Sequence, residues 1–471
     1  HNLDDDTDVT VSLASSDTTE GTVTPATLTF TEDNWDTTQT VTVAGVNETD
    51  RDRNQAYTIS LTAADQYTDT PEVTTLAGSG STGSTNATGT SARFNYPRSI
   101  ISDGTNLYVA DRSNHTIRKI VISTGAVTTL AGSPGSSGST DGTGTSARFN
   151  IPRGITTDGT NLYVTDTNNH TIRKIVKSTG VVTTLAGSAG SNGSTNGSGT
   201  SARFKWPRGI TTDGTNLYLA DADNNMIRKI VISTGVVTTL AGSTSSGSSN
   251  ATGTSARFNY PRGITTDGTN LYVADTNNNL IRKIVISTGA VTTLAGSTSS
   301  GSTDGTGTSA KFKNPRDLTT DGTNLYVADE SNHKIRKIVI STGVVTTLAG
   351  STSSGSTEGT GASASFKNPM GIVVQDTNLY VADYGNHKIR KIDLTANVTA
   401  DIEMHNLDDD TDAVVSIASS DTGEGTVSPA TITFTENNWN TDRTVTVTGV
   451  NDTDRDRHRA YKISLSAADQ E

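Results

Sequence analysis

The sequence contains no cysteine, which excludes disulfides and thiolate metal centres. Small modules within it must be held by packing, by cations or by their neighbours. No apolar run approaches the ~18 residues that a membrane-spanning helix needs, so membrane insertion is not expected. No stretch repeats its apolar residues with the 3.6-residue period of a helix. No signal peptide is read at the start, and the first residue is His1 rather than Met, so the chain is expected to be a processed form or a fragment.

What is present is repetition. The motif LYVAD, with LYVTD and LYLAD as variants, occurs six times and closes on Asp111, Asp166, Asp221, Asp275, Asp329 and Asp383, 54 or 55 residues apart. A fixed period of this size marks a solenoid, a propeller or an array. One period, read from Phe149, runs FNIPRGITTD, GTNLYVTD, TNNHTIRKIVKS and TGVVTTLAG, followed by a Gly/Ser/Thr stretch. Short β-rich runs alternate with the turn sequences DGTN, DTNN and STG. Four short strands joined by tight turns, repeated six times, fit the blades of a propeller.

The elements PRGI, LYVAD, NNHTIRKI and TTLAG, recurring in order across roughly residues 72–395, resemble NHL repeats. The resemblance implies a six-bladed β-propeller over 72–396. The sixth copy, from Phe366, ends at HKIRKIDL without its TTLAG strand, while an unattached VTTLAG precedes the first copy. Val73–Ala77 is therefore expected to close the ring as the outer strand of the last blade, removing an open sheet edge.

A second, longer repeat encloses the first. Residues 1–66 match residues 405–470 without a gap, with 50 identical positions. Apolar residues alternate in both copies, as at Val9, Val11 and Leu13. The runs SSDTTEGTVTPATLTFTEDNW and TVTVAGVN resemble Calx-β-related and immunoglobulin-like sandwich modules of large bacterial surface proteins. The expected fold is thus all-β: a six-bladed β-propeller flanked by two small β-sandwich-like modules, 1–71 and 397–471. At about 66 residues each is short for a sandwich. Either it is a minimal one, or a strand is supplied from elsewhere.

The formal charge of −13 is unevenly spread. Residues 1–71 carry 14 acidic and 2 basic side chains, residues 397–471 carry 15 and 5, and the stretch between them 20 and 29. The basic residues are dispersed by the repeat and the flanks would repel phosphate, so nucleic acid is not an expected partner.

Three sets of residues invite a chemical reading. Asp4, Asp5, Asp6, Asp8, Asp50 and Asp52, with Asp408, Asp409, Asp410, Asp412, Asp454 and Asp456, offer the clustered carboxylates that Ca²⁺ needs. Arg51 and Arg53 alternate with two of them, which suits a solvated run of ion pairs equally. Beyond this calcium no cofactor is expected. Asn-His pairs such as Asn114-His115 recur one per blade, with Asn225 and Asn279 replacing His in two copies, and read as rim turns rather than metal ligands. The LYVAD aspartates read as acceptors for the turn that follows. The third set is Arg98, Arg153, Arg208, Arg262 and Arg316, each following a proline at the start of the strand expected innermost, with Met370 in the sixth copy. Tyr96, Ile151, Trp206 and Tyr260 precede four of those prolines. Arginine and aromatic residues favour binding surfaces. The competing reading pairs these arginines with local carboxylates and packs the aromatics under loops.

The innermost runs contain no histidine, and no Ser–His–Asp constellation is visible, so an enzyme is not expected. Asp317, Asp223, Gln375 and Met370 break the sixfold symmetry without an evident cluster. The Gly/Ser/Thr stretches lack a P-loop lysine and read as flexible connections; Asn86 and Asn250 stand in N-x-T sequons. The expectation from the whole pattern is an extracellular structural or adhesive protein, a repeat unit of a surface fibre joined head to tail to copies of itself. The alternative is a propeller that binds a glycan or protein with its arginine and aromatic arc.

Overall fold

The computed structural model describes residues 71–394 throughout and, outside them, the backbone of the strands named below. The chain divides into two compact units, Thr70–Asp393 and a second made of His1–Asp69 with Leu394–Glu471.

The first unit is a six-bladed β-propeller. Blade 1 has its inner strand at Pro97–Ser102, then Asn106–Asp111, Thr116–Val121 and an outer strand at Val127–Ala131, each antiparallel to the next. Inner strands of the next four blades begin at Pro152, Pro207, Pro261 and Pro315. Blade 6 is built from Pro369–Gln375, Asn378–Asp383 and Lys388–Asp393. Its outer strand is Glu72–Ala77, with Ile389 opposite Ala77 and Ile392 opposite Val73. Successive inner strands lie side by side around the axis, and the sixth meets the first.

Alternation on the second strand explains how blades adhere. Both faces of each sheet are buried, so LYVAD is apolar almost throughout, unlike a strand with one wet face. Leu107 and Val109 of blade 1 pack with Tyr380 and Ala382 of blade 6. Tyr108 and Ala110 point the other way and pack with Leu162 and Val164 of blade 2. The core is therefore a set of similar inter-blade layers. Each fully buried Leu or Ile side chain contributes about 1.5–3 kcal/mol.

The Gly/Ser/Thr stretches differ from the flexible connections expected of them. Each carries a single turn of 3₁₀ helix, such as Gly144–Ser146. In blades 2, 3, 5 and 6 a two-residue strand from the stretch adds to the outer edge, as Gly142–Thr143 does beside Val181–Val182. Isolated bridges, Thr88 to Ala126 and Thr252 to Ala290, do the same in blades 1 and 4. Pairing these edges blunts the propeller's outer rim against other chains.

In the second unit, strands of both flanking segments share two sheets. One runs Thr27–Phe30, Val9–Ser15, Thr58–Ala63, Tyr461–Asp469, Ala413–Ser419, Thr431–Phe434. At its centre Ser60 faces Ser464, its equivalent in the 404-residue repeat, so the two copies meet about a local twofold axis. In the other sheet Asn397–His405 lies between Arg443–Gly449 and Val41–Gly45, antiparallel to the first and parallel to the second.

Candidate functional site

The repeated polar residues form a structural lattice. Each LYVAD aspartate is fully buried. Its Oδ1 accepts the backbone N–H two residues before the proline-led inner strand of its own blade begins, at 2.7–2.8 Å, as Asn95 donates to Asp111. This is the loop preceding the blade, where the sequence pointed to the turn that follows. The following turn contributes through Asn114, whose Nδ2 donates to Asp111 Oδ2 at 2.7 Å. The IRKI arginine seven residues on completes the unit. Arg118, Arg173, Arg228, Arg282, Arg336 and Arg390 are all 0% exposed and bind their aspartates at 2.8–3.3 Å. Each guanidinium also lies 5.1–5.4 Å from the ring of a buried phenylalanine. Burial pushes these aspartates up to about 6, against the pull of the paired arginine and the donated hydrogen bonds.

The rim histidines and asparagines are straps between blades. His115, His170, Asn225, Asn279, His333 and His387 all hold left-handed backbone, at φ of 54° to 60°. Each accepts the backbone N–H of the residue before the next blade's proline, at 2.8–3.3 Å, through Nδ1 of histidine or Oδ1 of asparagine. The two atoms stand at the same branch of the side chain, which is why either residue serves. The residues so held, Tyr96, Ile151, Trp206, Tyr260, Asn314 and Asn368, also have φ of 52° to 57°. That conformation is costly for a β-branched or aromatic residue, and the strap stabilises it. Among the described residues no group of three or more His, Cys, Asp or Glu is placed to hold a metal.

With the lattice and straps assigned, one set of charges has no such role. The second residue of the inner strand turns to the channel mouth, where Arg98, Arg153, Arg208, Arg262, Arg316 and Met370 line a small pocket open to solvent with Ser99, Asp317 and the glycines between. Those glycines allow the strands to converge. A Cβ on Gly154 would lie 2.0 Å from the carbonyl oxygen of Arg208, and one on Gly209 2.2 Å from that of Arg262.

Few of these arginines are neutralised. Arg316 pairs with Glu330. Arg98 donates to the sulfur of Met370 at 3.1 Å. Arg208 donates to the Tyr260 hydroxyl, and the guanidinium groups of Arg208 and Arg262 lie 4.6 and 4.7 Å from the Tyr260 ring. Arg153 has no hydrogen bond or ion pair to any described residue and is only 9% exposed. Burial, reinforced by Arg153, Arg208, Arg316 and Arg112, holds Arg98 well below the ordinary guanidinium range. Burial with Arg208 and Arg112 lowers Arg153 to about 9. Burial also lowers Arg208, although Tyr260 opposes it. Asp317 is pushed up to about 7 by burial, opposed by the Leu318 N–H, Arg98 and Ser99.

The five sequence-selected arginines thus converge. Of the residues before the prolines, Tyr260 touches the ring of arginines, while Trp206 stays 41% exposed. Tyr96 turns to Tyr384 and His387, its ring 4.7 and 4.5 Å from theirs. Asp317 and Met370, for which the sequence suggested no cluster, both line the mouth. The signal for Asp317 was present as the one acidic residue in the position that is glycine in four copies. The twelve aspartates considered for calcium lie outside the described residues.

The fold and its repeated sequence define a six-bladed β-propeller built of NHL repeats; the family model named NHL repeat matches residues 149–175. NHL repeat-containing protein 2 of Homo sapiens is 31% identical over 337 residues, covering 62% of this chain and 46% of that protein. Protein SUPPRESSOR OF QUENCHING 1, chloroplastic, of Arabidopsis thaliana is 30% identical over 329 residues, covering 65% of this chain and 31% of that protein. The chain therefore spans less than half the length of these relatives. Among solved structures, a protein of unknown function from Bacteroides thetaiotaomicron superposes with a TM-score of 0.54 at 21% identity, over 82% of this chain and 90% of that one, which shows the shared fold. The relatives, NHL repeat-containing protein 2 and a chloroplastic protein, overturn the expectation of a structural or adhesive surface fibre.

Proposed function

We propose that this chain is a binding propeller whose channel mouth receives a small anionic ligand. The observation that carries the reading is Arg153, a nearly buried cation without a partner among the described residues, set among arginines that lower one another's proton affinity. Buried charge is ordinarily paired. An anion among these guanidinium groups would supply the missing charge and accept the forked hydrogen bonds that arginine offers. For the flanking segments we propose a joint sandwich of the Calx-β or immunoglobulin kind, supported by their alternating strands and by the two sheets to which both contribute.

Calorimetric titration of the whole chain at low salt with phosphate, sulfate and citrate tests the mouth. At least one should bind the native protein, and Arg153→Gln should weaken it about tenfold or more, the loss expected for a charged hydrogen bond. Equal binding by both proteins would place the anion elsewhere, and no binding by either would remove the proposal.

A further inference from the structure

Charge around the mouth is polarised. Blades 2, 3 and 4 present Arg153, Arg208 and Arg262 with glycine beside each. Blade 5 presents Asp317 where those blades have glycine, and blade 6 presents Met370 where they have arginine. Asp317 can occupy its position because blade 4 has Gly263 alongside: a Cβ there would lie 2.5 Å from the Asp317 Cα and 2.8 Å from its Oδ1.

This carboxylate is not consumed by the arginines around it. It forms no ion pair with a described residue, since Arg316 is engaged by Glu330 and Arg98 by the Met370 sulfur. Its Oδ1 accepts the Leu318 N–H at 3.1 Å, and among the described residues its Oδ2 has only the long contact from Ser99. A carboxylate oxygen accepts more than one bond, so Oδ2 keeps capacity facing the same pocket as the arginines.

Resting on the anion-binding reading above, we propose that the ligand is a small molecule carrying both an anionic group and a protonated amine, the anion held by Arg153, Arg208 and Arg262 and the amine by Asp317. A ligand with an anion alone would satisfy the arginines and leave a carboxylate facing it, which is repulsive. A ligand with both charges matches both halves of the mouth. Burial pushes Asp317 up to about 7, and a cation beside it would draw it back to its ionised form.

The test uses two ligand pairs, L-glutamate against glutarate and phosphoethanolamine against inorganic phosphate, titrated calorimetrically into the whole chain near pH 8. The pairs separate carboxylate from phosphate as the anion. In at least one, the amine-bearing member should bind about tenfold or more tightly than its partner. Asp317→Asn, which keeps the side chain's size, should abolish that preference while the amine-free member binds at least as tightly as before, because the repelling carboxylate is gone, and this retained affinity also reports a folded mouth. Glutarate or phosphate binding with no preference for the amine, or a preference that survives Asp317→Asn, would overturn the inference and leave the anion site standing. Failure of all four to bind would remove both.

Discussion

At the scale of single residues, two kinds of arginine occur in one repeat, and their environments separate them. Arg118 and its five equivalents are fully buried and engaged through their terminal nitrogens, each with an aspartate and backbone carbonyls, and each beside a phenylalanine ring. Removing one would strand its aspartate. Arg228→Met should cost about 3–5 kcal/mol, read as a lowered midpoint of chemical denaturation. The arginines at the mouth should behave oppositely. Arg153→Gln removes a charge that burial and Arg208 already disfavour, so the ligand-free variant should melt at or above the native temperature while losing anion binding. A gain in stability with a loss of function is the mark of a residue kept for its ligand. The mouth set was legible in the sequence because PR recurs at the head of every inner strand but one. The lattice arginines were not, because a charged residue in a strand reads as solvated. Their signal was geometric: Phe, Asp and Arg keep spacings of 17 and 7 residues in all six copies, Phe94, Asp111 and Arg118 being the first.

At the scale of elements, the straps give the propeller a dependence on pH. In four of six, the acceptor is histidine Nδ1, which can accept only while unprotonated. Burial foremost lowers His115, His170, His333 and His387 below their ordinary value. As pH falls, the unfolded chain therefore binds protons first. The strap contribution is complete above about pH 6.5 and is lost as pH falls below it. Each strap is worth about 1 kcal/mol. Replacing all four histidines by asparagine, as nature does at Asn225 and Asn279, should keep the acceptor and flatten the slope of melting temperature between pH 7 and pH 5. The buried aspartates, raised to about 6, take up protons in part of that window and act in the opposite sense. They are common to both proteins, so the difference isolates the straps. A parallel pH profile for the two proteins would show that the straps do not titrate. The alternation of His and Asn argued against metal on the sequence alone. The partner did not show there, because it is a backbone N–H about 35 residues away or, for His387, at the other end of the ring.

At the scale of the whole molecule, the ring depends on one strand taken from outside the run of repeats. Glu72–Ala77 pairs with Lys388–Asp393, and Val73 and Ala77 are fully buried there. Ala77 also joins the layer between blades 6 and 1, beside Phe94, Val109 and Ile389. Losing the strand would expose an edge on Lys388–Asp393 and unseat the two-residue strand Gly359–Thr360, which pairs with Glu72 and Val73. The sequence disclosed the missing sixth TTLAG and the orphan copy before the first blade, because the period is strict enough for a gap to be counted. The test compares two truncations, so that loss of the flanking segment is not mistaken for loss of closure. A chain beginning at Thr70 lacks the first flank and keeps the strand; a chain beginning at Ser79 lacks both. Removing the buried Val73 and Ala77 and the partly buried Leu76, at about 1 kcal/mol or more each, together with the strand's backbone pairing, should lower the melting temperature of the second chain by roughly 10 °C or more relative to the first. It should also raise its tendency to associate through the opened edge. If the two chains melted together, blade 6 would be stable as a three-stranded sheet, and closure by Glu72–Ala77 would not be what holds the ring.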